Sequence, residues 1–159
     1  MAGLDEIAIE TGPGVFHCRS WGLTLSHEVV NLLIDEARAN VRRRARLCLH
    51  PSQDDVEQQM LIVLVDGATD PAHKHPDKRE ALLPILGQAS YQTFDDVGHL
   101  SSETRLSAGE SIYVSSPVGV FHRLVLRGPI FAFWEFASGP FHPSSTVRAS
   151  WIDSITGCE

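Results

Sequence analysis

The sequence has 159 residues, 43% of them hydrophobic and 21% charged, which is enough for one globular core and too ordinary a mixture for a disordered or fibrous chain. Its net charge of −7 argues against a nucleic-acid partner, which needs a basic face. The longest apolar run, Met60 to Val65, is far too short to span a bilayer, so no membrane partner is expected.

At the N-terminus, Met1 to Glu6 shows neither a basic nor an apolar leader segment. The first 25 residues read as irregular, broken by Gly12-Pro13-Gly14, with one alternating stretch over 6–10 as an edge strand. A helix follows at about residues 27–40. Ser26 stands at its cap, Glu28 in its first turn, and Val29, Val30, Leu32, Leu33 and Ala37 recur at three-and-four spacing. Arg42-Arg43-Arg44 with Arg46 reads as a solvated connection.

From Ala45 onward, short β-rich runs are separated by Gly, Pro, Asp and Ser. The expected strands are 45–49, 57–65, 72–75, 80–86, 89–94, 111–114, 120–126 and 129–136. Gly87-Gln88, Asp95 to Gly98 and Arg127-Gly128-Pro129 read as turns between them, and Pro84 as an edge or a bulge. The pattern has no βαβ alternation. It describes one mostly β domain over 1–159, a closed barrel or jelly roll from about 45 to 152 with an N-terminal α-helix laid against it. Cys18, Cys48 and Cys158 make neither a disulfide framework nor a CxxC pair, which with the missing leader points to a reducing cytoplasm.

The chemistry concentrates in one segment. His73 and His75 are two apart on an expected strand, so both imidazoles face the same side and Lys74 faces the other. Glu80 opens the next strand and can return its carboxylate to that side, and His122 is the natural fourth donor. Three imidazoles and one carboxylate suit a single divalent first-row ion, Zn, Fe, Mn, Ni or Co.

These residues resemble the cupins. Gly67, His73, His75, Glu80 and Gly87 match every specified position of the first cupin motif. Gly109, Pro117, Gly119 and His122 match the second, with two extra residues before Pro117 and Leu126 in place of its final Asn. The resemblance implies the double-stranded β-helix (jelly-roll) barrel of that superfamily. Over about residues 23–152 the chain is also similar to the WbuC-type cupin fold metalloproteins. That similarity rests on His50, Gln58-Gln59-Met60-Leu61, the histidine pair, Glu135, Gly139-Pro140-Phe141-His142-Pro143 and Trp151. It implies a place in bacterial surface-polysaccharide metabolism and a sugar-derived small-molecule ligand.

Around the metal ligands, Glu135 is either an inward carboxylate serving as proton carrier or ligand-His acceptor, or an outward residue. His50 is either a proton carrier at the pocket mouth or a strand-end cap. Gln58 and Tyr91 are candidate substrate contacts, whereas His17, His27, His99 and His142 read as loop or helix-face residues without a role. Three functions stay open: a Lewis-acid isomerase or epimerase, an Fe(II)-dependent oxygenase, and a non-catalytic sensing barrel. A homodimer is expected from an unpaired strand edge.

Overall fold

β3 (Arg44–Cys48) and β4 (Glu57–Val65) explain most of the architecture, because each is covered on both sides. Along β4, Leu61, Val63 and Val65 pack toward the helix, while Met60, Ile62 and Leu64 belong to a second apolar cluster inside the barrel. Alternation with both faces buried gives the continuous apolar run seen in the sequence. On β3 the same parity sends Ala45 and Leu47 to the helix side. It leaves Arg44, Arg46 and Cys48 facing inward.

The computed structural model describes residues 3–20, 23–50, 52–111 and 113–151. A short helix α1 (Leu4–Ile7) leads into β1 (Ala8–Gly12), which turns back as β2 (Val15–Cys18). The expectation of an irregular N-terminal segment is therefore corrected. Gly12-Pro13-Gly14 is the turn of a hairpin, with Gly14 at a φ of 70°, and β2 adds in parallel to β3. Helix α2 (His27–Ala39) starts where Ser26 Oγ accepts the Glu28 N–H at 3.2 Å. It buries Val30, Leu33, Ile34 and Ala37, one helical stripe, against Leu47, Leu61, Val63 and Val65. At about 1.5–3 kcal/mol for each large apolar side chain, that stripe is what holds the helix.

The remaining elements are β5 (His73–Lys74), β6 (Glu80–Phe94), β7 (Leu100–Ser107), β8 (Val114–Ser116), β9 (Phe121–Ser138), a 3₁₀ turn (Pro143–Ser145) and β10 (Val147–Arg148). The sheet runs β1-β2-β3-β4-β9-β5-β10, with β6 pairing β7, β8 and β9, and its path does not close. It is the expected mostly β architecture with an N-terminal helix. Two expected turns are corrected. β6 and β9 run straight through Gly87-Gln88 and Arg127-Gly128-Pro129, each fusing two expected strands. The ladder between them absorbs the irregular residues as register shifts at Pro84/Leu86 and Gly87/Ala89. Gly87 is required there: its φ is 76°, and a Cβ would lie 1.9 Å from the Ile130 carbonyl oxygen. β7, too polar to show in the pattern, pairs with β6 across the Asp95–Gly98 turn. Among the described residues no helix is long and apolar enough to cross a membrane.

Candidate metal centre

His73 lies directly opposite His122 in the β5–β9 register, and His75 follows two residues later on the same side. Lys74 turns away, where its ammonium meets Asp96 Oδ1 at 2.7 Å and covers the Phe121 ring. The three imidazoles cluster with ring centroids 4.7–5.7 Å apart. One nitrogen from each lies within 4.8 Å of the other two. Glu80, the first residue of β6, closes the group. Its Oε1 is 3.1 Å from His75 Nε2 and 2.7 Å from Lys78 Nζ, and its Oε2 is 3.5 Å from His122 Nε2. His75, Glu80 and His122 are all buried.

The outer side of each ring tests whether this set fits a metal. Nδ1 of His73 lies 2.9 Å from the Pro71 carbonyl oxygen, that of His75 2.7 Å from Ser145, and that of His122 3.0 Å from Val120. A carbonyl oxygen can only accept, so each Nδ1 carries the proton and each Nε2 turns inward. Backbone acceptors that fix the tautomer in this way are the usual outer support of metal-binding histidines. His73, His75, His122 and Glu80 therefore have the donor types and orientation to hold one divalent first-row ion.

The charges agree. Burial works against an ionised Glu80, yet hydrogen bonds from His122 and His75 and the Lys78 charge hold its carboxyl far below the usual range. Burial also lowers His73. It would lower His75 as well, but the Glu80 hydrogen bond and charge outweigh it and raise that imidazole.

This cluster lines a cavity of about 430 Å³. Tyr91 and Glu135 line it too. Tyr91 stacks on His122 at 5.6 Å and donates its hydroxyl to Ser116 Oγ at 2.7 Å, and burial pushes the phenol up to about 12. Glu135 shares the parity of Phe131 and Phe133, which pack inside the barrel. Burial, then the nearby Glu80 charge, pushes its carboxyl up to about 7. His50 and Gln58 stand elsewhere: both line a smaller neighbouring cavity of about 50 Å³. Gln58 Nε2 donates to the Asp55 carbonyl at 2.8 Å, bracing a loop.

Two readings are corrected by strand parity. The arginine cluster is no mere solvated connection, since Arg42, Arg44 and Arg46 line the main cavity with Lys78 and Arg148. His17 is on strand β2 rather than in a loop, beside Cys48 and His50. Asp70, absent from the expected site, also lines the main cavity, and its Oδ2 accepts the Leu124 N–H at 2.8 Å. Only the inward parity of β3 would have exposed Arg44 and Arg46, and a cluster of four arginines masks it in the sequence.

Among solved structures, the chain is similar to oxalate oxidase in complex with the substrate analogue glycolate, at 16% identity and a TM-score of 0.55, covering 71% of this chain and 58% of that one. It is similar to protein SO0799 from Shewanella oneidensis at 15% identity and a TM-score of 0.54, covering 68% and 70%. It is also similar to CapF bound to 3-isopropenyl-tropolone, at 21% identity and a TM-score of 0.53. There it covers 60% of this chain and spans only 28% of the length of CapF. At such identities the likeness establishes the fold, and the neighbours include cupins. No curated protein matches the sequence. A family model described as a domain of unknown function (DUF6016) matches residues 25–106, from the start of the helix through β7. The chain is a cupin-fold member of that DUF6016 family.

Proposed function

We propose that this protein is a mononuclear metalloenzyme that isomerises or epimerises a small, anionic, sugar-derived molecule. The observation that carries the reading is the placement of His73, His75, His122 and Glu80 in a cavity also lined by Arg42, Arg44, Arg46, Lys78 and Arg148. Five cationic side chains against Asp70, Glu80 and Glu135 leave a positive surplus, which favours a phosphate or carboxylate on the ligand. The WbuC-type resemblance supplies the sugar and the surface-polysaccharide setting.

A bound divalent ion would contribute Lewis-acid polarisation of a coordinated carbonyl or hydroxyl oxygen. The rest falls to this chain. The arginines anchor the anionic group, and Tyr91, braced by Ser116, fixes one wall beside His122. Glu135 carries the proton, since a carboxyl titrating near neutrality both takes and returns one at physiological pH.

The test begins with metal content of untagged protein, wild type and His75→Ala. One equivalent of a first-row ion in the wild type, lost in the variant, is expected. Loaded protein should then bind a hexose phosphate and ignore the neutral hexose, and exchange a sugar C–H proton with solvent deuterium. Tight binding without exchange would convert the enzyme into a sensor. Iron with ligand-dependent oxygen uptake would replace isomerisation by oxygenation. Failure to bind any first-row ion would remove the proposal.

A further inference from the structure

A second cluster of metal-binding side chains lies outside the centre just described. Cys48 ends β3 and His50 follows two residues later, so both project to one side of an extended chain. β2 adds in parallel to β3 with His17 directly opposite Cys48. One ligand atom from each of His17, Cys48 and His50 lies within 4.8 Å of the other two. The two imidazoles meet edge to face at 5.6 Å. Met60, paired with Cys48 across the β3–β4 ladder, lines the same cavity of about 50 Å³.

From this geometry we infer a second metal site, His17–Cys48–His50, specific for a thiophilic ion, Cu(I) or Zn(II).

The outer nitrogen of each ring has a hydrogen-bond partner. His17 Nδ1 lies 2.9 Å from Thr11 Oγ1. His50 Nδ1 lies 3.1 Å from the Gln59 carbonyl oxygen and equally far from the Gln59 backbone nitrogen. Where Nδ1 donates, to Thr11 Oγ1 and to the Gln59 carbonyl, Nε2 is the lone pair left on the ring, and metal binding selects that tautomer of His50 over the one whose Nδ1 accepts the Gln59 N–H. Burial lowers both imidazoles, so both are neutral near pH 7 and able to bind. Burial pushes the Cys48 thiol up to about 11, so without metal it is protonated and a poor nucleophile. Binding replaces the thiol proton with the S–metal bond and releases that proton to solvent, with no change of oxidation state.

Thiolate and imidazole together select soft ions, while the first centre, lacking sulfur, does not. Two neutral imidazoles and one thiolate leave Cu(I) uncharged and Zn(II) with one positive charge. Arg46, Lys78 and Glu135 all line this cavity, so the carboxylate is shared with two cationic side chains and the uncharged Cu(I) complex is the less costly of the two. The site does not depend on the proposed reaction.

The experiment uses the full chain carrying Cys18→Ser and Cys158→Ser, which leaves Cys48 as the only thiol, with His75→Ala added to disable the first centre. Anaerobic Co(II) addition should give a near-ultraviolet thiolate-to-cobalt charge-transfer band, displaced by one equivalent of Zn(II). Competition against a chromogenic chelator measures Cu(I) affinity and decides between the two ions. Cys48→Ser should abolish the band and weaken binding more than about 100-fold, beyond the about 10–100-fold lost with a residue that only supports a ligand. His17→Gln, on a different strand near the sheet edge, should do the same if Cys48→Ser fails to fold. Absence of the band with neither ion bound, or a band that survives His17→Gln, overturns the inference.

Discussion

Loading the His73–His75–His122–Glu80 cluster with an ion is expected to release at least one proton per ion below neutrality. The reason is the double engagement of His75 in the metal-free protein. Its Nδ1 donates to the Ser145 carbonyl at 2.7 Å, and its Nε2 faces Glu80 Oε1 at 3.1 Å. Both partners are acceptors, so the ring sits as an imidazolium, consistent with its raised pKa. The ion needs that same Nε2 as a lone pair, so binding must displace its proton. Glu80 is already ionised and the pKa of His73 is lowered, so neither adds to the count. The sign follows: affinity rises with pH up to the raised His75 pKa and levels above it. The slope on the rising limb is at least one proton, about tenfold or about 1.4 kcal/mol per pH unit for each. Calorimetry with Mn(II) or Zn(II) in two buffers of different ionisation enthalpy, from about pH 6 to about pH 8, reads both quantities. Glu80→Gln removes the counter-charge and should flatten the slope while weakening binding. Full-strength binding near pH 6 with no proton released would refute the doubly bonded imidazolium.

Three further expectations concern single residues. Gly87→Ala forces a Cβ against the Ile130 carbonyl at positive φ, a cost of about 1–3 kcal/mol. It should lower Tm by about 2–4 °C per kcal/mol in a chain of this size, and an unchanged Tm in a thermal melt contradicts it. Leu33→Ala, fully buried under α2, should cost about 2–5 kcal/mol. Its metal stoichiometry should stay the same, because it packs on the other face of the sheet from the ligands, and denaturant titration with metal analysis checks both. Glu135 has its pKa raised from 4.5 to about 7, so the folded metal-free protein holds an extra proton there and loses stability as pH rises between those values. The loss is at most about 3–4 kcal/mol at about 1.4 per unit. Glu135→Gln should remove that pH dependence, as urea unfolding at several pH values would show.

Three residues of the candidate metal centre were legible because they sit close together and follow local rules, and His122 was legible only through its motif. His73 and His75 follow strand parity, Glu80 starts the next strand, and Gly87 marks a backbone that no side chain tolerates. Helix α2 was legible for the same reason, a cap and a stripe on one short segment. What failed was anything that depends on a neighbour distant in sequence. β6 and β9 continue through glycine and proline because each has a long partner to share the irregularity, and local turn signals cannot report that. β7 is mostly polar over Leu100–Arg105, so no apolar alternation announced it. The inward turn of Arg44, Arg46 and Cys48 follows from α2 covering the other face of β3, and His17 joins them through a parallel pairing no adjacent residue predicts.

β9 pairs with β4, β5 and β6, bringing Leu61 to Trp134, His73 to His122 and Glu80 to Ala137. Contacts so far apart in sequence place this chain among slow folders, on a scale of milliseconds to seconds. Three ligands of the first centre come from one local stretch, but the fourth arrives only when the last long strand docks. An ion held by all four grips a geometry that exists only at the end of that journey. It therefore acts on the return path, slowing escape from the native state and lengthening its lifetime while leaving the rate of arrival almost untouched.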